Sequence, residues 1–453
     1  MTEDSGAPHG PAADTIAALS SGALPAGVAV VRLSGPAAGP ALAALSGRDL
    51  PPPRRAVVRA LRHPGTGRLI DRALVLWLPG PGTATGEDMA ELHLHGGRAV
   101  VAAALAALTA GGPAVARLAE PGEFTRRAFL NGRMDLAAVE GLADLLAAET
   151  EAQRVQALAQ AGGALSARIA GWRARLIEAR ALIEASLDFS DEADVAEAAE
   201  AEGLAVAAAL KADLEAALAE AGRGERLRTG FQVALMGPPN AGKSSLMNAL
   251  AAREVAIVTA EAGTTRDVLE VHLDLGGYPV TIADTAGLRD GVGLAEQEGI
   301  RRALDRGRSA DLVLWLDPAD GPVLEPPADL AAGSVLWRVA TKSDLAGDGA
   351  AGPARRCLSV RTGQGVGDLV AALAAAAAES LKGGEDALVT RARHRAALED
   401  AVGCLDRALA PGGLPELKAE DLRRAADALA RVVGAIGVET VLGAIFSSFC
   451  IGK

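Results

Sequence analysis

Short apolar runs bounded by turn residues open the chain, and long helical periodicities replace them near residue 124. Val28–Leu33 and Leu74–Leu78 are apolar, mostly branched runs flanked by Gly and Pro, which predicts strands. Pro51-Pro52-Pro53 and His63-Pro64-Gly65 mark loops between them. Val100–Leu108 predicts a helix that stops at Gly111-Gly112. This first stretch is expected to be a small α+β domain. From Phe124 onward, Asp135–Leu187 and Ala193–Ala221 place Ala, Leu, Glu and Arg at helical spacing with few breakers, predicting long packed helices. The Glu/Ala run Glu192–Glu202 reads as a solvated helix face. Gly222-Arg223-Gly224 is a predicted hinge. Strands and helices then alternate as far as a second predicted hinge, Lys382-Gly383-Gly384-Glu385. Ala387–Ala410 and Ala419–Val433 return to helical spacing, so the simplest architecture inserts an αβ segment into one helical domain.

Composition sets bounds on this picture. A chain of 453 residues has room for about three domains. Its net charge of −12 makes it a poor nucleic-acid binder alone, so a basic partner or a local patch would have to supply the phosphate contacts to RNA. Cys357, Cys404 and Cys450 are far apart and odd in number, with no metal or disulfide spacing, which fits a reducing compartment. No signal peptide and no membrane span is expected, and a cytoplasmic protein is the reading.

The inserted segment carries the chemistry. The strand Gln232–Met236 leads into Gly237-Pro238-Pro239-Asn240-Ala241-Gly242-Lys243-Ser244 and then the helix Ser245–Leu250. This is G-x-x-x-x-G-K-S in strand–loop–helix context, where backbone N–H groups and the helix N-terminus cradle phosphates. Lys243 would reach the β- and γ-phosphates, and the Ser244 hydroxyl would ligate Mg²⁺. Gly263-Thr264-Thr265-Arg266-Asp267 follows in a loop of the kind ordered by a triphosphate. Val280–Ala283 is a predicted strand ending in Asp284-Thr285-Ala286-Gly287, where Asp284 would hold the Mg²⁺ shell and the Gly287 N–H would meet the γ-phosphate. After the strand Val335–Ala340 comes Thr341-Lys342-Ser343-Asp344, whose Asp344 carboxylate suits guanine N1–H and N2–H and rejects adenine. Thr341 is shorter than the usual Asn. Ser359-Val360-Arg361 would offer a backbone N–H to the guanine carbonyl. Leu288 stands where many GTPases place a water-orienting Gln, so Glu296 is the candidate for polarising water. Ala241 and Ser245 belong to the same predicted nucleotide contact set, as do Thr259, Thr285 and Ala286.

Three further motifs lie outside this segment. Ile445-Phe446-Ser447-Ser448-Phe449-Cys450-Ile451-Gly452-Lys453 ends the chain; Pro121-Gly122-Glu123-Phe124-Thr125-Arg126-Arg127-Ala128-Phe129-Leu130-Asn131-Gly132-Arg133 precedes the helices; Thr85-Gly86-Glu87-Asp88 runs on to His95-Gly96-Gly97. Together with the nucleotide motifs they resemble the MnmE (TrmE) family of bacterial tRNA-modifying GTPases over almost the whole chain.

The resemblance implies a multidomain α/β and α+β fold. It comprises an α+β tetrahydrofolate-binding and dimerisation domain (1–122) and a helical domain formed by two segments (123–221 and 381–453). A P-loop GTPase domain with a mainly parallel sheet (222–380) is inserted between them. It implies a homodimer that joins the FAD-containing flavoprotein MnmG in a heterotetramer. The complex would use 5-formyl- or methylene-tetrahydrofolate to add an aminomethyl or carboxymethylaminomethyl group at C5 of a tRNA wobble uridine, with the tRNA held mostly through MnmG. It also implies K⁺ ligands at Asn240, Thr259, Glu261 and Thr264, Mg²⁺ contacts at Ser244 and Thr265, and a water-orienting Glu296. Folate contacts fall on Arg32, Glu91, Arg133 and Lys453, and Cys450 is the motif cysteine near the folate. His93 and His95 alternate on a presumed strand and read as structural or folate-site residues, not a metal pair. The alternative is a ribosome-assembly or signalling GTPase that acts only as a binding switch; a third reading is a helical scaffold with a degenerate nucleotide site.

Overall fold

The computed structural model describes residues 14–110, 115–188, 193–253, 255–257, 270–284, 301, 304–321, 324–328, 330, 335–345, 356–436, 439–447 and 449–452. The chain divides into two compact units, Met1–Ala143 with Ala430–Lys453, and Asp144–Leu429.

The first unit is built on six strands: β1 (Thr15–Leu19), β2 (Ala26–Ser34), β3 (Val57–Arg62), β4 (Leu69–Leu78), β5 (Met89–Gly96) and β6 (Ala116–Leu118). Their order is β3-β4-β5-β2-β1-β6, antiparallel except for the β1–β6 pair. The period-two pattern decides which face is dry: Ala73, Val75 and Trp77 of β4 point inward with Val31, Leu33, Leu92 and Leu94. The helices Ala38–Ser46 and Arg98–Thr109 close that face with Leu42, Leu45, Val101 and Leu108. Each such side chain contributes about 1.5–3 kcal/mol by leaving water. Ile16 and Ala18, of opposite parity on β1, instead meet Phe124 at the start of the helix Glu123–Leu130. The final helix Glu439–Ser447 belongs to this unit, where its Phe446 and the following Phe449 pack with Val139.

In the second unit the helices Ala164–Asp188 and Ala193–Thr229 form an antiparallel pair. Leu165, Ile169, Trp172, Leu176, Ala179 and Ile183 recur at alternating four- and three-residue steps and are all buried, which keeps one seam facing the partner helix. The predicted hinge at Gly222-Arg223-Gly224 is corrected here: the helix runs unbroken through it to Thr229. A Cβ on Gly224 would stand 2.5 Å from the Val389 carbonyl oxygen, so glycine serves a close chain crossing and not a bend. Buried Gln156 marks the same crossing, its amide donating to the carbonyls of Gly224 (3.2 Å) and Gly384 (2.7 Å). The helix expected from Ala387 begins at Ala392.

A second six-stranded sheet follows: β7 (Phe231–Met236), β8 (Glu270–Leu275), β9 (Tyr278–Asp284), β10 (Leu312–Pro318), β11 (Val335–Thr341) and β12 (Arg356–Cys357). Its order is β12-β11-β10-β7-β9-β8, parallel apart from the β8–β9 hairpin. Every residue of β10 is buried, as a central parallel strand covered on both faces requires. Leu246 and Leu250 of the helix Lys243–Ala251, and Leu369 and Leu373 of the helix Val366–Leu381, complete this core. Among the described residues no helix is long and apolar enough to cross a membrane.

Candidate functional site

The carboxyl ends of β7, β9 and β11 converge on one cleft, where ligands of open parallel sheets bind. Between β7 and the helix starting at Lys243, the chain wraps through Gly237 (φ +139°), Asn240 (φ +61°) and Gly242 (φ +92°). A Cβ on Gly237 would lie 2.5 Å from the Leu316 carbonyl oxygen, so only glycine lets the loop hug β10. Lys243 Nζ donates to the carbonyls of Gly237 and Pro238, both at 2.8 Å, which holds its charge over the loop. Ser244 Oγ donates to Asp284 Oδ2 at 3.3 Å, and Asp284 is buried. A hydroxyl and a carboxylate meeting beside a phosphate cradle are the hard oxygen donors that suit Mg²⁺.

At the other end lies a cleft of about 280 Å³, lined by Gly242, Ser245, Thr341, Lys342, Asp344, Ser359, Val360 and Arg361. Asp344 Oδ1 accepts from Ser359 Oγ at 2.6 Å, and Oδ2 faces Arg361 Nε at 3.3 Å. The Ser359 hydrogen bond above all, with the Arg361 charge behind it, holds the Asp344 carboxyl below its usual value, so it is an acceptor at neutral pH. Lys342 takes φ +57° and pairs with Asp320 at 2.9 Å. Thr341 is buried, and its hydroxyl donates to the Ala241 carbonyl at 2.6 Å, tying the end of β11 to the phosphate loop. That tie runs between residues 100 apart and was not legible in the Thr341 motif itself.

Thr259, Glu261, Thr264, Thr265, Thr285, Ala286, Gly287, Glu296 and Lys453 lie outside the described residues.

The first unit holds a second polar centre. Arg32 and Glu91 are cross-strand partners on β2 and β5, and Arg32 donates to Glu91 Oε1 from Nη2 (2.9 Å) and Nε (3.1 Å). The second Glu91 oxygen lies 3.3 Å from His93 Nε2, and the Arg32 guanidinium stands 6.0 Å from the Phe124 ring centroid. His95 pairs instead with Asp71 at 2.8 Å. Arg133 donates from Nε to the Thr83 carbonyl at 3.2 Å. Exposed Cys450 sits just before Ile451, which bridges to Pro121 next to the Phe124 helix. Partly accessible guanidinium and carboxylate groups beside an aromatic ring fit a flat heterocycle with an anionic tail, as a folate has.

Beneath them lies a cluster that motif reading missed. Buried Arg127 pairs with Glu87 (3.1 Å), Glu123 (3.1 Å) and Asp14 (2.8 Å), while Arg117 also donates to Glu123. Burial alone would raise the Glu123 carboxyl, but Arg117, the Glu120 N–H and Arg127 outweigh it and hold that carboxyl below its usual value. Ser34 and Thr85, hydrogen-bonded at 2.7 Å, extend the cluster, with Ser34 also donating to Glu87. The available signal was Glu123 four residues before Arg127 on one helix.

A glycine-wrapped phosphate loop, a Ser/Asp oxygen pair and a depressed carboxylate in a base-sized cleft define a P-loop GTPase. Family models agree: "MnmE helical domain" matches residues 136–450 and "GTP-binding protein TrmE N-terminus" matches residues 15–133. The protein named tRNA modification GTPase MnmE from Methylorubrum populi is 58% identical over 443 residues, covering 97% of this chain and 98% of the relative. Those of the same name from Azorhizobium caulinodans and Rhodopseudomonas palustris are 56% and 52% identical, covering 97% and 98% of this chain and 99% and 100% of their own lengths. The chain belongs to the MnmE family of tRNA modification GTPases.

Proposed function

We propose that this chain hydrolyses GTP to drive a folate-dependent modification at C5 of a tRNA wobble uridine, acting in the cytoplasm as a homodimer with the flavoprotein MnmG. The observation that carries the reading is that one chain pairs a formed nucleotide site with the Arg32–Glu91 centre beside Phe124 and the Cys450 tail. A switch that only bound partners would need the first and not the second.

In the nucleotide site the phosphate loop orients the polyphosphate, Lys243 offsets charge that grows on it, and Asp344 selects guanine. Ser244 and Asp284 would hold Mg²⁺, which supplies charge neutralisation on the phosphates. Asn240, with Thr259, Glu261 and Thr264, is the proposed K⁺ set, and Glu296 the water-orienting carboxylate; a cation there would take the place of an arginine finger when two G domains meet. Arg32, Arg133 and Lys453 suit the folate's carboxylates, and Glu91 its N–H groups.

The test is one reconstitution with MnmG, tRNA, GTP and 5-formyltetrahydrofolate, run in KCl and in NaCl at equal ionic strength. GTP turnover should be strongly stimulated in KCl; equal rates would remove the potassium mechanism. Cys450→Ser should leave turnover unchanged and abolish the modified uridine read by mass spectrometry. Modification retained in that variant would demote Cys450 to packing.

A further inference from the structure

Thr341 has a single hydroxyl proton, and the fold spends it. The Oγ1 atom lies 2.6 Å from the Ala241 carbonyl and 3.5 Å from that of Asp317, in a side chain only 2% exposed. At those distances the proton belongs to Ala241. An asparagine amide has two N–H donors, enough for this tie and one more contact; a threonine has one. Three neighbouring side-chain donors are turned elsewhere as well, and Ser343 Oγ is buried outside the cleft lining. Lys342 Nζ is held by Asp320, while Ser359 Oγ and Arg361 both turn to Asp344. The purine N7 is an acceptor only.

We propose that this chain grips guanine by its N1–N2 edge and leaves N7 unread. Thr341 is then a positioning residue that latches the base loop to the phosphate loop. The inference rests on the proposed seating of guanine against Asp344. Its consequence is a base site that tolerates a change at N7 and not at N2.

The test is equilibrium titration of the full chain with GDP, 7-deaza-GDP and IDP. For the unaltered chain, GDP and 7-deaza-GDP should bind within about twofold of each other, below the effect of one net hydrogen bond. IDP, which lacks the N2 amino group, should bind several-fold more weakly. Thr341→Asn should create a preference for GDP over 7-deaza-GDP of about fivefold, one hydrogen bond's worth. Thr341→Val should weaken both nucleotides in parallel, because only the latch is lost. A clear loss with 7-deaza-GDP in the unaltered chain overturns the inference, since another donor then reads N7. Equal binding of GDP and IDP faults the seating at Asp344 itself, and the inference falls with it.

Discussion

The two polar centres are assembled in opposite ways. The nucleotide site uses backbone and a few side chains contributed by short contiguous loops, with Gly237, Asn240 and Gly242 in left-handed or otherwise glycine-favouring geometry. The centre of the first unit is made of side chains drawn from distant places, as Arg32 meets Glu91 59 residues on and Arg127 meets Asp14 113 residues back. A backbone cradle is shaped before any ligand arrives and satisfies its own polar groups through the loop. A side-chain cluster is satisfied only when every member is present, so its loss is felt as instability before it is felt as chemistry.

The largest way to separate the two is Lys243→Ala. It should lower single-turnover GTP hydrolysis by about a hundredfold or more, because its charge acts where the transition state is most negative. Urea unfolding of the first unit, followed by hydrogen exchange in β1 and the helix Glu123–Leu130, should not move. A parallel loss there would show that the two centres are not independent.

Arg127→Leu should do the reverse. Leaving Glu87, Glu123 and Asp14 without their shared cation should destabilise the first unit by about 3–5 kcal/mol, the cost of breaking a buried pair from one side. The same unfolding measurement reads it, and hydrolysis per folded molecule should be retained. An acid limb sharpens the test. Glu123 and Asp14 both sit below their usual values: burial opposes this, and the hydrogen bonds and charges of Arg117 and Arg127 prevail. Depressed carboxylates stabilise fully above their unfolded values, about 4, and that stabilisation is lost as pH falls through the lower folded ones. Stability of the first unit should therefore drop below about pH 4, and the drop should flatten in Arg127→Leu. An unchanged acid limb would mean that Arg117 alone holds these groups.

The smallest effect is expected at Ser359→Ala, which removes the main partner of Asp344. GDP affinity should fall about fivefold, as for one typical net hydrogen bond at a partly wet site. No change would leave Arg361 as sufficient to orient the carboxylate.

Legibility followed the same divide. Gly237 to Ser244, Asp284 and Asp344 could be read directly, because each motif is local and its neighbours in sequence are its neighbours in space. The Thr341–Ala241 tie could not, since a threonine after a strand says nothing about which carbonyl it will find. Arg32, Glu91 and Arg133 were named through resemblance, whereas Ser34, Thr85 and Arg127 needed the register of β2 against β5 and the docking of a helix. Gly222 and Gly224 misled for a further reason. Glycine marks both flexibility and close approach, and at Gly224 only the Val389 carbonyl shows which applies, while Gly222 has open space around it within an unbroken helix. Val28–Leu33, Gln232–Met236, Val280–Ala283 and Val335–Ala340 were foreseen to within a few residues because β-branched runs survive without tertiary knowledge, whereas β1, β3, β6, β8, β10 and β12 were not named from the sequence.

Gln156, which joins Gly224 to Gly384 across one amide, has a consequence in polymer terms. The chain leaves the helical scaffold and comes back to it at a single point, so everything between is a closed loop. The entropy of closing a flexible loop grows only with the logarithm of its length, by about 0.6 kcal/mol for each doubling. Gly224 and Gly384, the two ends of that loop, are held by one side chain although the whole nucleotide-binding segment lies between them. A whole catalytic segment can thus be carried at this crossing for little more than the entropy of a surface loop, provided that it folds by itself and brings its ends together.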